Sequence, residues 1–482
     1  MKTLSKLANG RVPSIWVLII AMAIEFIANC LLPTANCFSQ TIAASENHSL
    51  AVCNDNTVMS WGLNANGQLG NGTLTNSNVP VQVSALSGVI AIAAGTSHSL
   101  ALKNDGTVWA WGINSLGMLG NGNNTDSNVP VQVSGLSGVI AIATGRFHSL
   151  AVKNDGTVWV WGSNISGELG DGTTTNSNVP LQVSGLSGAI AVSGGFYYSL
   201  ALINDGSVWA WGGNSQGQFG NGTTVSSNTP LLISSLAGIT AISGGFDFSL
   251  FLKNDSTVWA CGWNGSGQLG NGTTTNSTVP VQVSGLSGVL AIADGNYHSI
   301  ALKQDGTAWT WGENFTGQLG NGTTTDSSVP VQMNSLTGIT AIAGGNRHSI
   351  TLKNNGTVWG CGENFYGQLG TGNNTNSNIA LQTTGLCQVL EVNDVSTPLS
   401  MEVSVYPNPF SDIFSITIQK QNMRQATFTI KNILGEIILS QQENNISSAY
   451  TKMLDLRNFS HGVYLLDVVV DGERTVKTIV KQ

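Results

Sequence analysis

Short apolar runs recur along this chain, each closed by glycine, asparagine or threonine. In one stretch Val89–Gly95 reads VIAIAAG, His98–Asn104 reads HSLALKN, Thr107–Gly112 reads TVWAWG and Val129–Ser134 reads VPVQVS. Four short runs bounded by turn formers predict an antiparallel meander. The turn Asn104-Asp105-Gly106 joins the second and third, because asparagine and glycine accept the positive φ of a tight hairpin. The set returns every 50 residues, seven times between Gln40 and Leu390. WGLNANGQLGNG from Trp61 becomes WGINSLGMLGNG from Trp111, and recurs from Trp161, Trp211, Cys261, Trp311 and Cys361. A fixed period of about 20 to 50 residues marks a repeat architecture.

Alternation in TVWAWG puts Val108 and Ala110 on one face and Trp109 and Trp111 on the other. Both faces are apolar, so both must be covered. A four-stranded sheet packed between copies of itself meets that demand, as in a propeller blade. An open solenoid would need atypical capping copies at its ends. Here the first and seventh copies keep the pattern, and a further strand-like run, Val389–Asn393, is placed to complete a blade or latch the ring.

After Val392 the period stops. Residues 393–402 read as a linker, and 403–482 regain ordinary charge and strand alternation. FSITI from Phe414, ATFTIKN from Ala426, GVYLLDVVV from Gly462 and RTVKTIVKQ from Arg474 predict a small β-sandwich. The expected fold is all-β: a seven-bladed β-propeller of four-stranded antiparallel blades over 40–392, then that sandwich.

Charge narrows the function. Charged residues make up 9% of the 482, against roughly a quarter in ordinary soluble domains. Between Thr41 and Leu390 there are seven Lys and Arg against fifteen Asp and Glu. No basic stripe is present to displace phosphate counterions, which argues against a nucleic-acid partner. At the N-terminus Lys2, Lys6 and Arg11 precede the apolar run Val12–Ile24. That run is short of the roughly 18 residues needed to span a bilayer, so 1–39 reads as a signal peptide cleaved before Gln40, leaving no membrane span. A lipid anchor at Cys30 is a poorer fit. Cys261 and Cys361 replace a tryptophan and read as small buried hydrophobes. Cys53 and Cys387 come from the first and last repeats, which a closed ring makes neighbours, so a ring-locking disulfide is open to them.

Two families are visible in the motifs. The run G-x-x-H-S-L-A-L-K-N-D-G-x-V-W-x-W-G-x-N-x-x-G-Q-L-G, nearly complete from Gly95, Gly145, Gly295 and Gly345, resembles the repeat of the regulator of chromosome condensation family. The match covers about 350 residues of this sequence. Kelch repeats share the length, yet only three copies carry a glycine doublet and W-G-x-N-x-x-G is foreign to them. The resemblance implies a seven-bladed propeller. The tail resembles the C-terminal sorting domain of type IX secretion cargo. The matching pieces are Val405-Tyr406-Pro407-Asn408-Pro409-Phe410, Asn432-Ile433-Leu434-Gly435, Gly462-Val463-Tyr464-Leu465-Leu466 and the closing run Lys477–Gln482. That resemblance implies the type IX machinery as a partner, recognising the tail through Tyr406, Pro407, Asn408, Pro409, Gly435, Gly462, Tyr464 and Lys477. It also implies a secreted or surface-attached product.

Candidate chemistry thins out on comparing the copies. His48, His98, His148, His298 and His348 share one repeat position, but Tyr198 and Phe248 fill it elsewhere. A ligand or general base is not interchangeable with phenylalanine, so the position reads as a packing slot with an optional hydrogen bond. The Asp series from Asp55 to Asp305 belongs to the hairpin turn. No calcium loop, phosphate loop or nucleophile elbow is present, and neither enzyme activity nor a cofactor or metal is expected. A plant ultraviolet-B photoreceptor shares the propeller family, but its sensing tryptophan has no counterpart in these loops.

What varies against the near-identical background is the G-x-x-H pair and the surroundings of W-G-x-N-x-x-G. Aromatics gather there, at Phe147, Phe196, Tyr197, Phe246, Trp263, Tyr297, Phe315, Phe365 and Tyr366. Loop aromatics on a rigid scaffold suit protein or glycan contacts, although drift at positions without packing duty gives the same pattern. The expectation is a monomeric, exported, non-enzymatic binding propeller for an extracellular protein or glycan. The alternatives are a secreted enzyme inhibitor, resembling a bacterial β-lactamase inhibitor of this fold, and a structural surface protein.

Overall fold

The computed structural model describes residues 41–387 except Ser335, and 402–406, 412–419, 425–432, 436–444, 449–470 and 473–481. Residues 1–39, Val389–Asn393, Pro407, Asn408, Pro409 and Gly435 lie outside the described residues. Every regular element among those described is a β-strand, and none is a helix able to cross a membrane.

In the first repeat β1 (Ile42–Ala44), β2 (His48–Val52), β3 (Val58–Gly62) and β4 (Ser77–Gln82) pair antiparallel in chain order. The other six repeats build the same sheet, giving seven four-stranded blades, each from one continuous stretch of chain. Strands of the β1 type from adjacent blades lie against one another towards the axis. Strands of the β4 type lie outermost, and Val79, Val129 and Val179 show there.

Between blades the apolar faces meet as the alternation requires. Leu100, Val108, Ala110 and Leu119 pack with Ala151 and Trp161 of the next blade. In five copies the second tryptophan is fully buried and donates its indole N–H to the preceding blade, as Trp111 Nε1 to the Gln68 carbonyl and Trp161 Nε1 to the Met118 carbonyl, both at 2.8 Å. Cys261 and Cys361 take this place as free, buried thiols and direct Sγ at the carbonyls of Gln218 and Gln318. The first tryptophan departs from expectation. Trp109 is only half-buried, and the neighbouring lysine partly covers its outer edge, with Lys103 Nζ 5.7 Å from the ring centroid. A lysine stem shields apolar surface while its charge stays in water.

Among the described residues the last and first blades meet through side-chain and backbone hydrogen bonds and a disulfide. Trp61 Nε1 donates to the Gln368 carbonyl at 2.8 Å, and Asn346 N to the Ser45 carbonyl at 3.0 Å. Cys53 and Cys387 form the disulfide their repeat positions left open, with Cα atoms 5.8 Å apart.

The tail forms a separate unit. Glu402–Tyr406, Ile413–Gln419 and Ala449–Asp455 make one sheet; Ile437–Asn444, Gln425–Asn432, Gly462–Val470 and Glu473–Lys481 make the other. Phe414, Ile416 and Leu454 from the first sheet pack on Phe428, Leu466 and Val468 from the second, as a sandwich core. Glu402, expected at the end of the linker, already belongs to a strand.

Candidate functional site

The site is built on the connection between the β1-type and β2-type strands. Gly95 opens it, and a Cβ there would fall 2.2 Å from Cε1 of His98, so the glycine makes room for the ring beneath. His98 is fully buried and lies 3.1 Å through Nε2 from Ser149 Oγ in the next blade. Ser149 Oγ donates to the Met118 carbonyl, so the histidine N–H must be the donor to Ser149. His48, His148, His298 and His348 repeat the bond, and the Tyr198 hydroxyl, which donates to the Phe248 carbonyl, lies 2.9 Å from Ser249 Oγ. Phe248 fills the slot by packing alone. In the first blade Ser45 stands at the glycine position and its Oγ lies 3.0 Å from His48 Nδ1. Burial pushes these imidazoles down, to about 3 at His148 and about 4 at His98, which keeps them neutral. They are interior parts of the scaffold.

Above this layer the two variable residues of each loop point to the rim. Adjacent loops are tied by backbone bonds: Arg146 N to the Gly195 carbonyl, Phe196 N to that of Phe246, and Asn296 N to that of Gly345. Pairs 50 residues apart therefore become spatial neighbours. Phe147 lies 6.4 Å from Tyr197, Tyr197 4.4 Å from Phe196, and Phe196 3.8 Å from Phe246, between ring centroids. Phe246 is 5.2 Å from Tyr297, which meets Trp263 at 5.7 Å. Six of the nine aromatic candidates thus form one arc. Phe315, 52% exposed, joins through Arg347, whose guanidinium lies 4.3 Å from its centroid and 5.8 Å from that of Tyr297. Phe365 and Tyr366 contact each other edge to face at 4.9 Å, and no ring contact among the described residues links them to the arc.

Charged residues that an aromatic filter overlooks complete the rim. Arg146 stacks on Phe147 at 4.7 Å and on Phe196 at 3.8 Å, and pairs with Glu46 of the first blade at 3.5 Å, past the short Thr96-Ser97 loop. Arg347 Nε pairs with Glu313 at 3.0 Å. Arg146, Arg347 and Asp247 all sit at variable positions of the G-x-x-H pair, which was the signal that could have found them. Desolvation among the rings pushes the Asp247 carboxyl up to about 6, opposed by a hydrogen bond from Gln218 Nε2 at 3.1 Å. Gln216, Phe246, Asp247, Trp263 and Tyr297 line an open hollow of about 380 Å³. Among the described residues no group of three or more His, Cys, Asp or Glu is arranged to hold a metal.

In the tail, Gly462 begins a strand, Tyr464 is buried with its hydroxyl 2.5 Å from the Ser460 carbonyl, and Lys477 is exposed. Tyr406 lies on the first strand of the unit. A residue outside the expected set, Lys481, is buried and donates Nζ to the carbonyls of Leu456 and Phe459 at 2.7 and 2.9 Å.

The RCC1-like domain model matches residues 139–406, more than half of the chain. The chain belongs to the RCC1-like family. Regulator of chromosome condensation (RCC1) repeat models match 55–102 and 105–152, and also 40–68 and 89–117. The secretion system C-terminal sorting domain matches 404–482, and this RCC1-like protein is exported, to the cell surface or the medium. The crystal structure of human WBSCR16 is similar at 25% identity and a TM-score of 0.59, over 66% of this chain and 87% of that one. Prp20p of Saccharomyces cerevisiae, described with its binding to Gsp1p and histones, is 21% identical with a TM-score of 0.62, over 75% of this chain and 90% of its own. Yeast RCC1 (Prp20) bound to Kap60 is 20% identical with the same TM-score of 0.62, over 84% and 93%. The yeast likenesses show the fold alone. No curated protein matches the sequence.

Proposed function

We propose that this RCC1-like protein is an exported, non-enzymatic recognition module that holds an extracellular protein or glycan partner on the aromatic rim of its propeller. The tail delivers it through the type IX machinery, by way of Tyr406–Pro409, Gly435, Gly462, Tyr464 and Lys477. The observation that carries the reading is the contiguity of Phe147, Tyr197, Phe196, Phe246, Tyr297 and Trp263 on loops of four successive blades. Rigid, partly exposed aromatics flanked by arginine are the groups that dominate recognition surfaces. The scaffold below is fully packed, so a partner meets a preformed surface and little ordering cost. Basic charge of the kind that nucleic-acid binding requires is scarce, with seven Lys and Arg between Thr41 and Leu390.

The test is binding of the exported protein to intact cells and to a glycan panel, with Phe147→Ala/Tyr197→Ala as the variant. The expected outcome is at least a tenfold loss of binding with an unchanged melting temperature, two hot-spot aromatics being worth about 2 kcal/mol or more. Retained binding by the double variant would remove the rim from the function. Inhibition of a hydrolase without cell or glycan binding would favour the inhibitor reading instead.

A further inference from the structure

Within the rim, one blade departs from the other six at three positions together. Asp247 is the only acidic residue at its place in the G-x-x-H pair, where the other copies have Asn47, Ser97, Phe147, Tyr197, Tyr297 and Arg347. Trp263 is the only aromatic following W/C-G, and Gly265 the only glycine two residues on. The last two are coupled, since a Cβ at Gly265 would stand 2.6 Å from the Trp263 ring. The indole is seated by the absence of a side chain beneath it.

We propose that the hollow between Phe246, Asp247, Trp263 and Tyr297 binds an organic ammonium group, with the carboxylate as countercharge and the three rings as walls. The inference rests on the reading of the rim as a recognition surface and names the chemistry of one subsite. The walls have the right disposition. Phe246, Tyr297 and Trp263 touch in sequence, at 5.2 and 5.7 Å between centroids, and give the hollow a continuous aromatic lining with Asp247 beside it. A neutral sugar would leave the carboxylate without a countercharge. Cations over aromatic faces gain most when water is displaced. The carboxylate is also available: its hydrogen-bond partner is the neutral Gln218 amide, and no lysine or arginine ion pair reaches it among the described residues. Arg347, the arginine beside Tyr297, is held by Glu313.

Titrating the intact exported chain by calorimetry with tetramethylammonium, choline, Nα-acetyl-lysine methylamide and methyl glucoside tests this. The cations are expected to bind and the glucoside not to. Choline and the lysine derivative separate a quaternary headgroup from a protein side chain as the natural source. Binding should weaken about tenfold from pH 8 to pH 5, as a group titrating near 6 loses about nine-tenths of its charge. Tyr198 and Tyr297 stand beside Asp247, the Arg347–Glu313 pair acts on Tyr297, and burial pushes Asp294, bonded to Ser243, up to about 7. The pH contrast is therefore read against Asp247→Asn, which should bind at least tenfold more weakly and lose the dependence. Glucoside binding in place of cations, or an Asp247→Asn variant that binds as well as the parent, overturns the proposal. Phe147→Ala/Tyr197→Ala leaves the hollow's lining intact. Cation binding kept while that variant still holds the partner rejects the rim and keeps the subsite.

Discussion

A histidine repeated five times around a ring invites a chemical role, and its surroundings assign it a mechanical one. Each imidazole is sealed from water and donates to a serine of the next blade, and all but His48, which meets Ser45, sit where a glycine gives space. Holding it neutral has a consequence for stability. The folded-state value lies near 3 or 4 and the unfolded value near 6.5, so below pH 6.5 the unfolded chain takes up protons the folded chain refuses. Stability is whole above pH 6.5 and is lost as pH falls from there towards 3. Five such groups give a slope of up to about 7 kcal/mol per pH unit. Replacing His148 by tyrosine, the solution already used at Tyr198 over Gly195, keeps a bond to the next blade and removes one proton from the balance. His148→Tyr should lower the slope by about 1.4 kcal/mol per pH unit between pH 6 and 4.5. Urea unfolding across that range measures it, and an unchanged slope would show that the slot is not the source of acid sensitivity.

At the scale of the blade, the asparagine of W-G-x-N-x-x-G organises the long loop between the β3-type and β4-type strands. Asn114 is fully buried; its Oδ1 accepts the Leu119 N–H at 2.9 Å, and its Nδ2 reaches the carbonyls of Asn123 and Thr125 at 2.9 and 3.2 Å. The same bonds recur at Asn64, Asn164 and Asn264. Asn114→Ala removes one side chain and strands at least three backbone groups, at a cost of about 3 kcal/mol. Calorimetry on the variant should show that loss, together with faster proteolysis at residues 121–126. How much of this was legible depends on range. The meander, the buried Trp111-type residue and the Asp105 turn followed from period-two alternation and turn chemistry, which act within a few residues. The strands Ile437–Asn444 and Ala449–Asp455 did not, because runs such as Ser440-Gln441-Gln442-Glu443 leave alternation too weak to read. Nor could the sequence show which aromatics touch. That Phe196 meets Phe246 while Phe365 stays apart from the arc depends on loop-to-loop bonds between blades.

For the whole molecule the question is where a ring of near-equal blades is weakest. Among the described residues the inter-blade cores differ in size: that between the third and fourth blades has thirteen buried residues, while those on either side of the seventh have six each. The seam between the last and first blades also rests on β1, the shortest inner strand among the described residues, with three residues. Apolar area buried at a seam scales with what holds it, so the ring should open beside the seventh blade first. The Cys53–Cys387 disulfide lies across that seam and spans 334 residues of chain. In the chain-entropy account a bridge of that span contributes up to about 6 kcal/mol. Cys387→Ser should therefore act locally before it acts globally. Hydrogen exchange on the variant is expected to show early loss of protection in 339–382 and 42–52, with 139–182 still protected. Reducing agent should reproduce the pattern in the parent. A uniform loss of protection around all seven blades would mean instead that the propeller unfolds as one unit, with the disulfide acting only on the unfolded chain.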